Sequence, residues 1–218
     1  MFRLALICEA AADFRVISRL ADRVVSENVD WLRDTLEHVR VWIGAREGET
    51  FLLWTSIEEV SFAANAPRTL GLFSGAPGIV HAAATRKALV LFKSLTTPPD
   101  AVVLAADVGD ARGRRNGMAQ ARDAAAWPWG EATILETPDR ELEAWELAGF
   151  IATDDEEKKH GEERDPKRVL DALCQGSGER RRECVETDLD TLKNRGRHSG
   201  LKDFLQEVEM RLVPVFTK

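Results

Sequence analysis

The chain has 218 residues, of which 44% are hydrophobic, so it is long enough to bury a core as one domain with or without an appendage. Its formal charge of −7 provides no overall basic field for nucleic acid and leaves only local basic patches for such contacts. Three cysteines without C-x-x-C spacing argue against a disulfide framework and a zinc site, and no apolar run is long enough to span a membrane. We therefore expect a protein of the reducing cytoplasm without membrane association.

The predicted elements begin with a short apolar strand at residues 3–8, RLALIC, which ends at Glu9. A helix follows over 11–25, because apolar residues recur there at helical spacing. Asp13 lies in the first turn of this helix, where the helix dipole favours a carboxylate. Asp13 is therefore either a structural residue of the helix start or part of a site with Glu9.

Six apolar residues in a row, 101–106, suit a strand buried on both faces, as in a parallel sheet. A strong helix over 79–95 precedes this strand, after a glycine-rich segment at 66–78 that lacks a phosphate-loop motif. The apolar run stops at Asp107, and ligands of open α/β sheets bind beyond the carboxyl ends of the strands. Two strands that each deliver an acid at this end, Glu9 and Asp107, predict one shared site.

Strands and helices keep alternating beyond the central strand. A helix over 117–126 leads to a strand at 131–137, and further helical patterns follow. This alternation predicts an α/β fold with a mainly parallel, Rossmann-like sheet flanked by helices. We place the core at residues 1–150 and a charged loop with a C-terminal helical cap at 151–218.

Carboxylates converge at the predicted strand ends, since a Glu141/Glu143 pair follows the next strand. Like charges about 4 Å apart repel by roughly 4 kcal/mol at an effective dielectric of about 20. Such a cluster either raises its pKa values or holds a cation. Oxygen ligands favour Mg²⁺ or Mn²⁺, which polarises a phosphoryl group and activates water.

This arrangement resembles the TOPRIM fold, shared by topoisomerases, primases and nucleases of the OLD (overcoming lysogenisation defect) type. In that family a Glu follows the first strand and an Asp-x-Asp motif follows a later one. OLD-type members add an acid four residues after the first Glu and an acidic motif beyond the next strand. Here LALICEAAAD supplies Glu9 and Asp13, VVLAADVGD supplies Asp107, and TPDRELEAW supplies Glu141 and Glu143. The last segment is most similar to a small stand-alone bacterial TOPRIM family with an R/H-E-x-E-A signature.

The resemblance implies a metal-dependent nuclease of DNA maintenance or phage defence, with Glu9 and Asp107 as catalytic residues. It implies a Mg²⁺ or Mn²⁺ site formed by six acids: Glu9, Asp13, Asp107, Asp110, Glu141 and Glu143. The phosphates of the nucleic acid, which we expect to be DNA, would contact four basic residues: Arg114, Arg115, Lys193 and Arg195. OLD-type nucleases carry an ATPase in the same chain, and this sequence has no Walker motif, so we expect a separately encoded ATPase partner. Whether the chain forms a homo-oligomer is left open.

Two departures from the family pattern keep alternatives open. Gly109 replaces the second acid of Asp-x-Asp, with Asp110 one residue late, and the long gap before Asp107 implies an insertion at about 40–78. One alternative is a non-catalytic TOPRIM-like module that binds nucleic acid or a partner ATPase, with Gly109 marking decay of the site. The other is a phosphotransferase with Asp107 as nucleophile, which would need the D-x-D-x-T/V motif of haloacid-dehalogenase enzymes that this chain lacks.

Overall fold

The computed structural model describes residues 1–106, 113–138, 141–150, 165–175, 177–197 and 199–217. Their strands, numbered in chain order, are β1 (Phe2–Cys8), β2 (Arg40–Ile43), β3 (Leu52–Leu53), β4 (Leu72–Phe73), β5 (Ala76–Pro77), β6 (Ala101–Ala105) and β7 (Thr133–Glu136). The main sheet has the order β2-β1-β6-β7, with β3 also paired to β1, and each of these pairings is parallel. The predicted mainly parallel α/β sheet is confirmed, and β4 and β5 form a separate antiparallel hairpin.

The helices alternate with these strands and then continue alone. They are α1 (Ala11–Asn28), α2 (Leu36–Val39), α3 (Ile57–Ala63), α4 (Ala82–Lys93), α5 (Gly113–Asp123), α6 (Glu143–Ala148), α7 (Pro166–Cys174), α8 (Gly178–Cys184), α9 (Leu189–Arg195) and α10 (Leu201–Glu207). Short 3₁₀ turns cover Asp30–Leu32 and Trp54–Ser56, and α10 continues as a π-helix, Val208–Leu212, and a 3₁₀ turn, Val213–Val215. Within the described residues, no helix is both long and apolar enough to cross a lipid bilayer.

The core lies on both faces of the sheet, because the central strands β1 and β6 carry apolar residues that face both sides. Each residue of β6 is buried, as the continuous apolar run predicts. Because crossovers between parallel strands are right-handed, the strand order implies that α1 covers one face of the sheet and that α4 and α5 cover the other. The helix α4 packs against α5, while α10 and the π-helix pack against α1 and β7. Trp145 of α6 stacks on Phe204 of α10, with ring centroids 4.9 Å apart, so the C-terminal helices share the core of the sheet.

The structure sharpens the element boundaries that the sequence predicts. The helix predicted at 79–95 begins at Ala82, because His81 takes a left-handed backbone with a φ of 68° and interrupts the helical path. The segment 40–64, which mixes strand-like pieces and turns, supplies β2 and β3 to the main sheet. The division at residue 150 and the insertion at about 40–78 stay predictions.

Candidate active site

Three neighbouring strands end at one edge of the sheet. Since β1, β6 and β7 are parallel neighbours, their carboxyl ends meet there, with Ala105 opposite Glu136 in the register of β6 and β7. Glu9 directly follows β1, and Glu136 is the last residue of β7. In the sequence Asp107 directly follows Ala106, but Asp107 and Asp110 lie outside the described residues. We call this end of the sheet the acidic edge.

Glu9 forms an ion pair with an arginine of α5. Its side chain is 41% exposed, and its Oε1 accepts a hydrogen bond from Nη1 of Arg114 at 3.1 Å. Arg114 lies in the first turn of α5, and the neighbouring Arg115 reaches the hydroxyl of Thr137, just after β7, at 3.4 Å. Two of the four predicted basic residues therefore lie at the acidic edge.

Asp13 helps to hold the start of α1 in place. Its Oδ2 accepts hydrogen bonds from the backbone N–H groups of Ala10, at 2.7 Å, and Glu9, at 3.2 Å. Burial raises the pKa of Asp13, these two hydrogen bonds oppose the rise, and the negative charges of Glu143 and Glu9 add to it. Asp13 therefore stabilises the start of α1 and also interacts electrostatically with two other predicted ligands, Glu9 and Glu143.

Glu136 is a further carboxylate at the acidic edge, and the residues predicted from the sequence do not include it. It is 1% exposed, although carboxylates are rarely buried without a specific reason. With Glu9 and Asp13 it lines a cavity of about 10 Å³, which Ile17, Leu142 and the backbone after β6 close off. This volume is roughly that needed for one water-sized guest. The signal was present in the sequence, because TILE ends on an acid as RLALIC-Glu does.

Glu143, the first residue of α6, interacts electrostatically with Asp13 and is paired with an arginine. Arg181 of α8 binds Glu143 at 3.5 Å, Glu146 at 3.0 Å and Asp171 at 3.8 Å. Burial raises the pKa of Glu146, and Arg181 opposes that rise. Glu141, just before α6, has its Oε2 buried without a hydrogen-bond partner in the described part of the chain. Of the six predicted ligands, the structure thus brings Glu9 and Asp13 together and places Glu143 beside them.

Lys193 and Arg195 have a different setting from Arg114 and Arg115. Both lie in the last turn of α9, and Lys193 pairs with Glu209 of the π-helix. Among the described residues, neither contacts an acid of the acidic edge. Their predicted role as phosphate contacts therefore has no support from their position.

His81 interacts electrostatically with both members of the Arg114–Glu9 pair, and no sequence motif points to it. Its ring packs edge-on against Trp54, with ring centroids 6.3 Å apart. The indole N–H of Trp54 donates a hydrogen bond to the carbonyl of Ala105 at 2.5 Å. Burial and the positive charge of Arg114 lower the pKa of His81, and Glu9 opposes that shift. The lowered pKa favours the neutral imidazole near pH 7.

The described residues do not form a complete metal site by themselves. In that part of the chain, no three His, Cys, Asp or Glu side chains come close enough to act together as ligands. Asp107, next in sequence to the buried end of β6, is outside it. The chain matches no protein-family model, no curated protein and no solved structure.

Proposed function

We propose that this chain is a metal-dependent phosphodiester hydrolase, a nuclease of TOPRIM type whose acidic edge holds Mg²⁺ or Mn²⁺. One observation carries the proposal: Glu9, Asp13 and Glu136 are among the residues that line a cavity of about 10 Å³ at the ends of three adjacent parallel strands. Within the described part of the chain these three acids do not come close enough together to form a metal site, so Asp107 would have to complete it. Ligands of open α/β sheets bind beyond this end of the strands. The resemblance of the sequence motifs supports the TOPRIM part of the proposal.

The residue types around the cavity suit a hard divalent cation, because its acidic residues are Glu9, Asp13 and Glu136 and no Cys or His is among its lining residues. Glu9, Glu136 and Asp107 would hold the ion, and Asp13, Asp110, Glu141 and Glu143 stay candidate ligands for a second one. A bound cation would polarise a phosphoryl oxygen and lower the pKa of a coordinated water. It would also relieve the repulsion among carboxylates that share this field.

The arginines of α5 would bind the substrate's phosphate. Arg114 and Arg115 lie at the acidic edge, and a guanidinium matches the geometry of phosphate oxygens. A phosphate that arrives with a cation would draw Arg114 from Glu9, so that the cation replaces the arginine on the carboxylate. DNA as the substrate and a separately encoded ATPase as the partner are the finer parts of the proposal, and the family resemblance supports both.

A second candidate function is favoured by the same ion pair. The ion pair of Arg114 and Glu9 would neutralise this acid in a non-catalytic module as well, which lowers the energetic cost of keeping it at the edge of the sheet. Such a module would bind nucleic acid or a partner ATPase. Metal binding and turnover distinguish the two functions.

The test is cleavage of supercoiled DNA, linear DNA and RNA with Mn²⁺ or Mg²⁺, with and without any ATPase encoded alongside. We expect cleavage by the wild type and a loss on the order of a thousandfold in rate for Glu9→Ala and Asp107→Ala, because each variant removes a ligand of the ion. Glu37→Gln is the control. Glu37 lies in α2, the helix that follows α1, and its side chain is 76% exposed. Absence of cleavage in all conditions, with nucleic-acid or partner binding intact, would favour the non-catalytic module.

A further inference from the structure

A much larger cavity adjoins the acidic edge. It measures about 780 Å³ and lies between the first half of α1, the start of α6, and the helices α7 and α8. Pockets that take small molecules and nucleotides have volumes of roughly 300–1,000 Å³. We call this cavity the helical cleft.

The helical cleft and the small acid-lined cavity share a wall. Asp13 and Leu142 line both of them. The side chains of these two residues would therefore separate a ligand in the cleft from the proposed ion position. Val16, Leu142, Cys174 and Val185 give the cleft an apolar floor, and all four are buried. The floor provides surface for the carbon atoms of a sugar or a base.

The carboxylates that line the helical cleft already have partners. Arg181 binds Glu143, Glu146 and Asp171, at 3.5, 3.0 and 3.8 Å. Arg19 binds Glu186 at 2.7 Å. Asp13 accepts two backbone hydrogen bonds. The acids of the cleft therefore offer little to a cationic ligand.

Three arginines that line the helical cleft would offer donors to an anionic ligand. Arg15 of α1 and Arg182 of α8 are exposed there and form no hydrogen bond or close ion pair within the described residues, although Arg15 lies near enough to Glu146 to lower the pKa of that carboxyl. The Nε of Arg181 is buried and also lacks an acceptor in the described part of the chain. A buried donor without an acceptor costs free energy that an incoming acceptor would recover. Three guanidinium groups thus present donors to one space.

We infer that the helical cleft binds the phosphate groups of a nucleotide, either free or at the end of a single strand. A phosphate offers several charged acceptors, which match the forked donors of Arg15, Arg181 and Arg182. The choice of a nucleotide over another phosphate ester rests on the proposed function. In that arrangement the cleft holds the substrate and presents its phosphodiester to the acidic edge across Asp13.

Binding in the presence of EDTA tests this inference separately from catalysis. The probe is a short single-stranded oligodeoxynucleotide with a 5′-phosphate and a 3′ fluorophore, followed by fluorescence anisotropy. Arg15→Gln and Arg182→Gln should each weaken binding about tenfold, and the double variant about a hundredfold, because each removes one charge-assisted contact. Arg33→Gln should bind as the wild type does, since Arg33 does not line the cleft and, among the described residues, pairs with the exposed Asp30 beyond the C-terminal end of α1. Equal melting temperatures would exclude loss of fold as the cause.

Competition identifies the source of the phosphate. Displacement of the probe by a mononucleotide at similar concentration supports a free nucleotide, and displacement only by unlabelled oligonucleotides supports a strand end. Wild-type affinity in the double variant, no binding by the wild type, or tighter binding of the same sequence as a duplex would each overturn the inference. Loss of binding in the double variant together with no cleavage by the wild type would retain the cleft and reject the nuclease. Cleavage by the wild type with unchanged binding in the double variant would retain the nuclease and reject the helical cleft as the nucleotide site.

Discussion

Arg114 donates a hydrogen bond to Glu9 at 3.1 Å and so joins the first turn of α5 to the end of β1. This pair lies where three parallel strands end and beside the cavity lined by Glu9, Asp13 and Glu136. The guanidinium and a divalent cation would compete for the same carboxylate. The strength of this competition is measurable.

Arg114→Gln should make the protein more responsive to metal. Glu9 would lose its cationic partner, so Mn²⁺ should raise the melting temperature at a several-fold lower concentration than in the wild type. A thermal melt across a Mn²⁺ series measures this midpoint. Arg115→Gln is the control, because Arg115 contacts the hydroxyl of Thr137 rather than a carboxylate. A higher midpoint in Arg114→Gln would mean that this arginine supports the ion instead of competing with it.

Much of the framework follows from local sequence. The apolar runs of β1 and β6, the periodicity of α1 and the acid after β1 could all be predicted, because burial on both faces and helical spacing act over a few residues. The acid at the end of β7 is visible in the sequence, but the position of Glu136 at the cavity beside Glu9 and Asp13 depends on neighbours that β1 and α1 bring to it. The same holds for Arg181, whose three acidic partners come from two other helices.

A close backbone approach gives a prediction about stability. At Gly117 in α5, a Cβ atom would lie 1.9 Å from the carbonyl oxygen of Val80 and 2.9 Å from the amide nitrogen of Ala82. Both contacts are backbone atoms, so Gly117→Ala should lower the free energy of unfolding by about 1–3 kcal/mol or more. Urea unfolding measures the change. Gly178→Ala, which meets no atom within 4 Å, should leave stability nearly unchanged, and an equally mild Gly117→Ala would contradict the observed packing of α5.

The buried thiols give a prediction about pH. Burial raises the pKa of Cys8 and of Cys184 from 9.0 to about 12. Near pH 8 roughly one in ten thousand of these thiols is ionised, so the native protein should resist iodoacetamide and react only after unfolding. In the unfolded chain these thiols ionise near pH 9.0, so stability should fall as the pH rises from there towards about 12. Mass spectrometry of alkylated protein measures the first effect, and rapid labelling of native Cys8 would contradict this burial.

Calorimetric titration of Mn²⁺ into metal-free protein tests the central claim most directly. We predict saturable binding by the wild type and loss of that binding in Glu9→Gln and in Glu136→Gln, because each variant removes one charged ligand from the acid-lined cavity. Glu37→Gln should bind as the wild type does, and all variants should first show a cooperative melt. No binding by folded wild type, or equal binding by Glu9→Gln, Glu136→Gln and the wild type, would contradict a metal-dependent acidic edge.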